Sequence, residues 1–548
     1  MHYQFLPKST PRNKKEIIFR LYLYPLTAIL SLLLLFFSNP NRLAHDQIDH
    51  KLFFMIYDQP SLFADDYLWG SERRNLVDNR YSFTIIKKIG QFTGSDEVAR
   101  WLLVPFAFFF FTIGMFEFTR MITKEYFFSY LVAVLSNIHI PHVFSAEWGL
   151  PGPSEIDPWV FYQSLTPLIL AIFYKGLVSG KDWMIVVSFA IAGLLGNLHI
   201  ISAFYLIGIL FISYIVSRGT NSKYILKSLI YAVLSGILSL PYVLRHYLDK
   251  IPHPVSFNSS NAEAWDAINV IAGHTTLNGR IANLNAWVIG EWYLFWPFVA
   301  ALVALLLIVR RWRLIGISPF TKFAVRFILA TVLFNTAFSA LQIFRLYVLH
   351  QLPFWNEPRG MQLIYFVFFP ALGLLGTVLW QRTRVWWNFE RQLIVLAIAI
   401  LTVSIGVRVN LPLLADRYRD HITPRYSFNT CDAQLYFAFN HASLPPGPVL
   451  IDPGYWSAFR ICTGRSVVVQ NRDKAFAYSQ GADTMMEWYR RFREANTGFA
   501  SGGEGLLQTA KKYGSRVIVS RNCVPLPTDV DIRRTSVGNE GCIDALPD

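Results

Sequence analysis

RWLLVPFAFFFFTIGMFEFTR, residues 100–120, holds one charge, Glu117, between its terminal arginines. An apolar run of this length matches a helix crossing a hydrocarbon core about 30 Å thick. Runs of similar length recur along most of the chain. They explain why 53% of the residues are hydrophobic and only 16% charged, against roughly 45–50% and about 25% in soluble domains. The sequence is that of a polytopic α-helical membrane protein.

The first run, about Ile17–Phe37, follows Lys8, Arg12, Lys14 and Lys15. It is too long for a signal-peptide core, and "FFSNPNRLAHD" after it offers no small-residue cleavage site. It reads as a retained first helix. Later spans are expected at about Arg100–Phe118, Tyr126–Val143, Pro158–Tyr174, Trp183–Leu198, Ile201–Val216, Tyr224–Val243, Ala286–Val309, Phe323–Tyr347, Met361–Trp380 and Gln392–Val409. The total is about eleven.

The net charge of +14 is distributed as topology. Lys and Arg fall in short clusters between spans, not in the single patch or stripe that marks a nucleic-acid binder. With the N-terminus in the cytoplasm, every inside turn is basic: Arg120 and Lys124; Lys175 and Lys181; Arg218, Lys223 and Lys227; Arg310, Arg311, Arg313 and Lys322; Arg382, Arg384 and Arg391. The positive-inside rule asks for this. An odd number of spans then puts residues 411–548 outside, in the periplasm if the membrane is a bacterial inner membrane.

All four cysteines, Cys431, Cys462, Cys523 and Cys542, lie in that tail. An even set confined to an oxidising compartment reads as two disulfides, with three pairings open. A zinc site is the weaker alternative, because no CxxC spacing is present. The tail reads as a small α/β domain: "PVLIDP", "SVVVQ" and "RVIVS" are strand-like, whereas "DTMMEWYRRFREA" and "GLLQTAKKYG" have helical patterning. Asp452 in "LIDPGYW" reads as a turn former.

Acids gather in the outside loops. The first loop, Ser38–Ala99, carries Asp65, Asp66, Glu72 and Asp78; the second, "SAEWGLPGPSEIDPW", carries Glu147, Glu155 and Asp157. Phe63, Tyr67, Leu68 and Trp69 bracket the Asp65–Asp66 pair, an aromatic setting favoured at a membrane interface. Two adjacent, partly desolvated carboxylates repel, which suits one of them to accept a proton. The plainer alternative is that one Asp caps a short helix and the other is solvated.

A large acidic first loop followed by many helices and an outside C-terminal domain resembles the GT-C superfamily, the polyprenyl-phosphate-dependent membrane glycosyltransferases. The residues that carry the resemblance are Asp65 and Asp66 in "FADDYLW" and Glu97 and Arg100 in "GSDEVARWLLVPF". Glu155 and Asp157 are similar to a position that family uses. The architectural likeness covers about residues 1–410. The tail, with "GPVLIDPGYWSAFRICTGRSVVV" and "EWYRR", resembles a bacterial domain of unknown function. The family's acidic motif is often Asp-Glu or a single Asp, so which carboxylate is catalytic stays open.

The resemblance implies inverting transfer of a sugar from a polyprenyl-phosphate-linked donor to an acceptor hydroxyl at the outer face. Asp65 or Asp66 would take the hydroxyl proton. Arg359, with Arg345 and His199 behind it, would hold the donor phosphate. Mg²⁺ or Mn²⁺ between the acidic loops would suit their oxygen ligands. Two other classes are open: a transporter or flippase for a lipid-linked or acidic solute, and a non-catalytic assembly partner.

Overall fold

The computed structural model describes residues 12–33, 45–59, 61–70, 81–137, 140–143, 146–148, 158–248, 256–285, 318–353, 359–383, 431, 433–454, 458–528 and 531–547, with a few positions between 299 and 307. The chain runs α1 (Arg12–Leu33), α2 (His45–Asp58), α3 (Tyr81–Thr93), α4 (Asp96–Thr123) and α5 (Tyr126–Leu135), then a hairpin of β1 (Ile140–Val143) and β2 (Ala146–Trp148). Helices α6 (Pro158–Ser179), α7 (Asp182–Gly196), α8 (Ile200–Arg218), α9 (Ser222–Leu248), α10 (Ala262–Ala272), α11 (Leu277–Asn285) and α12 (Ser318–Tyr347) follow. A 3-10 helix (Arg359–Ile364) leads into α13 (Tyr365–Thr383).

Among the described residues, six helices are long and apolar enough to cross a membrane: Val98–Thr123, Trp159–Ser179, Ile200–Arg218, Ser222–Leu244, Pro319–Tyr347 and Gly360–Val378. The count of about eleven is therefore not reached. Two expected spans, Ala286–Val309 and Gln392–Val409, lie almost wholly or wholly outside the described residues. Helices α5 and α7 are apolar but have only 10 and 15 residues. At 1.5 Å per residue, α5 reaches about 15 Å, half of a bilayer core.

Packing inside the bundle relies on small residues. A Cβ on Gly193 of α7 would lie 2.4 Å from the carbonyl oxygen of Ser235 on α9. In that contact the Ser235 hydroxyl donates to Phe189 O (2.6 Å) and the Ser239 hydroxyl to Gly193 O (2.7 Å). Small side chains and interhelical hydrogen bonds replace the hydrophobic drive that apolar surroundings remove.

The bundle has two unlike ends. At one, Arg20 and Arg120 flank Glu117 (3.1 and 3.2 Å), Lys227 pairs with Asp182, and Arg218 donates to Gly176 O (3.4 Å). The first three sequence-predicted basic turns collect here. The other end carries the C-terminal domain, tied down where Tyr478 donates to Pro353 O (2.7 Å) and Arg493 meets Glu263 (3.0 Å).

That domain comprises α14 (Gln434–His441), β3 (Val449–Ile451), α15 (Phe459–Thr463), α16 (Lys474–Ser479), α17 (Ala482–Ser501), α18 (Gly503–Lys512), β4 (Val517–Ser520), β5 (Arg533–Val537) and β6 (Gly541–Ala545). Its sheet has the order β3-β4-β6-β5, with β3 parallel to β4 and the other pairs antiparallel. The disulfides are Cys431–Cys462 and Cys523–Cys542. The expected strands "VLI" and "VIVS" form. "SVVVQ" lies beside Val449 as an isolated bridge and does not make a full strand. The hairpin β5–β6 escaped the sequence reading because β5, "RRTSV", is an exposed edge strand without an apolar pattern.

The domain shares one core with the loops beneath it. Phe53, Trp69, Phe83 and Leu352 are buried with Val468, Ala477 and Trp488. Phe476 makes edge contacts with Phe53 (5.7 Å) and Trp69 (5.1 Å). Each such fully buried aromatic contributes about 1.5–3 kcal/mol. The boundary expected near residue 410 does not divide this core.

Candidate functional site

The two carboxylates of the first loop have separate fates. Asp65 is exposed, and Asp66 is 4% exposed. Oδ1 of Asp66 accepts from the backbone N–H groups of Leu68 (3.0 Å) and Trp69 (3.2 Å), the turn-capping role of the plainer reading. Its Oδ2 accepts from Arg460 Nε (2.8 Å) and Val467 N–H (3.2 Å), 394 and 401 residues away.

Arg460 is the centre of this joint. Beyond Asp66 it donates from Nη1 to Gln470 Oε1 (2.7 Å) and Asp473 Oδ1 (2.6 Å), and from Nη2 to Asp473 Oδ2 (2.9 Å). Burial pushes the Asp473 carboxyl up, against the pull of Arg460. Next to it, the buried Tyr67 hydroxyl is raised by desolvation, and Arg491 stacks 4.5 Å from the Tyr67 ring. A carboxylate with four donors on two oxygens and no access to solvent is poorly placed to take a proton from a substrate. In this structure Asp66 docks the first loop onto the C-terminal domain. Arg460 carried no sequence signal beyond a lone Arg in "AFRIC".

His199 and Arg345 also have structural work. His199 is the N-cap of α8: its Nδ1 accepts from Ser202 N–H (3.1 Å) and lies 2.7 Å from Ser202 Oγ. Arg345, in the last turn of α12, donates to Leu352 O (3.3 Å) in its own connecting loop. Arg100 is buried, with its guanidinium 5.3 Å from the Phe54 ring. Glu155 and Asp157 lie outside the described residues, as do the side chains of Glu97 and Arg359. No group of three His, Cys, Asp or Glu close enough to hold a metal ion occurs among the described residues.

Of Arg359, which the sequence puts at the outer mouth of the bundle, the backbone is described. It opens the 3-10 helix Arg359–Ile364, whose Gly360 packs onto α8 and α12. A Cβ on Gly360 would lie 2.6 Å from Tyr205 Cδ1 and 2.7 Å from Asn335 Oδ1. Asn335 precedes the end of α12 at Tyr347 by twelve residues, or about 18 Å. Strands β1 and β2 pack on the same 3-10 helix, so the strand bearing Glu147 of the second acidic loop lies beside the segment opened by Arg359. Sequence reading expects both loops outside; among the described residues, α5 ends at Leu135 and the hairpin follows it.

No protein-family model matches this chain, and no curated protein matches it.

Proposed function

We propose that this chain is a GT-C-like membrane glycosyltransferase. It moves a sugar from a polyprenyl-phosphate-linked donor to an acceptor at the bundle end that carries the C-terminal domain. The carrying observation is the meeting of the 3-10 helix opened by Arg359 with the hairpin that leads into the second acidic loop. A cation for the leaving phosphate and carboxylates for the acceptor proton then belong to neighbouring segments. Asp66 is committed to the joint, and Asp65 faces the field of Arg465 in the C-terminal domain. The base in this reading is an acid of the second loop: Glu147, Glu155 or Asp157.

The basic end of the bundle faces the cytoplasm in this reading, with the N-terminus. The disulfide domain faces an oxidising space, the periplasm of a bacterial inner membrane. Spans beyond the six, among them Ala286–Val309 and Gln392–Val409, complete the odd count.

A transporter is the second reading, favoured by α5 ending within the bundle, since interrupted helices are a transporter feature. The test incubates protein in nanodiscs with polyprenyl-phosphate sugars and a panel of acceptors, and measures release of free polyprenyl phosphate. Turnover that Glu147→Gln, Glu155→Gln or Asp157→Asn abolishes, while Asp65→Asn retains it, supports the proposal. Lipid-linked sugar crossing proteoliposomes without release of the carrier would favour transport instead.

A further inference from the structure

The outer half of the bundle beside α5 contains irregular backbone and acceptor oxygens without donors. Helix α5 starts at the basic end, where Arg120 stacks on Tyr126 (5.5 Å), and stops after ten residues. The hairpin β1–β2 and the 3-10 helix Arg359–Ile364 pack together beyond it. Non-helical backbone at membrane depth persists only where protein buries it or where it lines a wet cavity.

Among the described residues, Asn335 Oδ1 and Gln362 Oε1, at the 3-10 helix, and Asn137 Oδ1, just past the end of α5, have no hydrogen-bond partner. Asn335 is 4% exposed and Gln362 6%. The two asparagines have fixed orientations. Asn335 Nδ2 donates to Thr331 O (2.7 Å), and Asn137 Nδ2 donates to Thr112 Oγ1 (3.0 Å) and Ala133 O (2.9 Å), so each Oδ1 is an acceptor. Gly360 joins Asn335 to the 3-10 helix, as described above. Phe366, one turn beyond Gln362, packs on Phe111 (5.9 Å), the neighbour of Thr112. Buried acceptors without donors are rare in native proteins and call for a partner.

We propose that these oxygens form a subsite for a neutral, polyhydroxylated group, the sugar of a lipid-linked donor. It rests on the glycosyl-transfer reading and gives the sugar a place within it. Carbonyl oxygens accept from hydroxyls and repel phosphate, so the sugar points toward Asn335 and Gln362 while the phosphate lies elsewhere. Tyr205, Phe338 and Phe366 supply the apolar faces usual in a small-molecule site with few polar groups.

The test measures binding of lipids to purified protein in nanodiscs. The ligands are polyprenyl phosphate; its glucose, mannose, galactose and arabinose adducts; diacylglycerol; and glucosyl diacylglycerol. At least one sugar adduct is expected to bind tenfold or more tightly than bare polyprenyl phosphate. Asn335→Leu and Gln362→Met should each remove most of that gain and leave the bare lipid unaffected. A diazirine on the sugar of that adduct should label unmodified protein at Asn335 or within residues 359–364, a result that needs no variant to fold.

If polyprenyl phosphate binds but no sugar adds affinity, the subsite is wrong and the donor reading stands without it. If polyprenyl phosphate fails to bind, yet glucosyl diacylglycerol outcompetes diacylglycerol through Asn335, the subsite stands and the donor reading falls. Labelling elsewhere overturns the subsite. Stabilisation by Na⁺ that Asn335→Leu removes, with no response to sugars, would assign the oxygens to a cation instead.

Discussion

Asp66→Asn is the sharpest perturbation of the joint. The substitution keeps the shape of the side chain and replaces one acceptor oxygen with an NH₂ donor. Both oxygens of Asp66 face two donors, Leu68 and Trp69 N–H on one side, Arg460 Nε and Val467 N–H on the other. Whichever way the amide turns, its NH₂ meets two N–H groups. Breaking a buried ion pair by removing one partner costs about 3–5 kcal/mol, whereas exposed pairs are worth about 0–1 kcal/mol. With Asp66 and Arg460 both buried, the larger range applies. Arg460→Met should cost more, since it leaves Asp66 and Asp473 facing each other without a counter-charge. Urea unfolding in detergent, followed by the fluorescence of buried Trp69 and Trp488, measures each loss. The double variant should lose less than the sum of the singles, by about 1–3 kcal/mol. A loss below about 0.5 kcal/mol for Asp66→Asn, with no coupling to Arg460, would refute the joint. A well-folded, inactive Asp66→Asn would restore the catalytic assignment.

Gly193→Ala should destabilise the bundle by about 1–3 kcal/mol through overpacking against Ser235, read as a lower thermal midpoint in detergent. Gly236→Ala, with nothing within 4 Å of its new methyl, is the control and should be neutral or mildly stabilising. Cys523→Ser opens a disulfide spanning 19 residues and should cost about 3 kcal/mol by loop-closure entropy; urea midpoints equal to wild type would contradict that. Asp452→Asn keeps the turn acceptor for Gly454 N–H (3.3 Å) and removes a carboxyl that burial holds above its usual range. A raised folded pKa means that the charged form costs stability, a cost absent at low pH and developed as pH rises through the folded value. The variant should therefore gain on wild type between about pH 3 and pH 7, and a gap that widened toward acid would reverse the sign.

Composition made the membrane class and the sorting of basic residues legible, because hydrocarbon length and the positive-inside rule act on local sequence. That the tail's cysteines form two disulfides followed from compartment, while which cysteines pair did not. Three features lay beyond such rules. "YFFSYLVAVLSNIHIPHV" is mostly apolar, so hydropathy carries it across the membrane, whereas the helix ends at Leu135 and Ser136 closes it. Arg359 is expected at the outer mouth because it stands at the predicted outer end of the tenth span. Its depth depends on how Gly360 packs against Tyr205 and Asn335, a contact without a local signature. The partner of Asp66 is 394 residues away, and no spacing rule reaches that far.

The charges of the joint explain why adjacent carboxylates are tolerated at all. Asp66 and Asp473 share Arg460, which would leave a net negative charge in a buried place. Arg491 lies over the Tyr67 ring and is itself paired with Glu487 (2.6 Å). Asp65 has its own cation, Arg465, in the turn after α15. The arginines near these aspartates, Arg460 paired with Asp66 and Asp473, and Arg465 within the field of Asp65, are supplied by the C-terminal domain. The first loop supplies two of the acids and no base to this group. Without the C-terminal domain, "FADDYLW" would have no compensating charge and its aromatic residues no cover. The first loop therefore acquires its structure only when the tail docks, and a chain truncated before residue 431 should expose Trp69 to solvent. A red-shifted, quencher-accessible Trp69, with the other tryptophans of that truncated chain replaced by Phe, is the expected result. A Trp69 as protected as in the full chain would show that the loop folds without the domain.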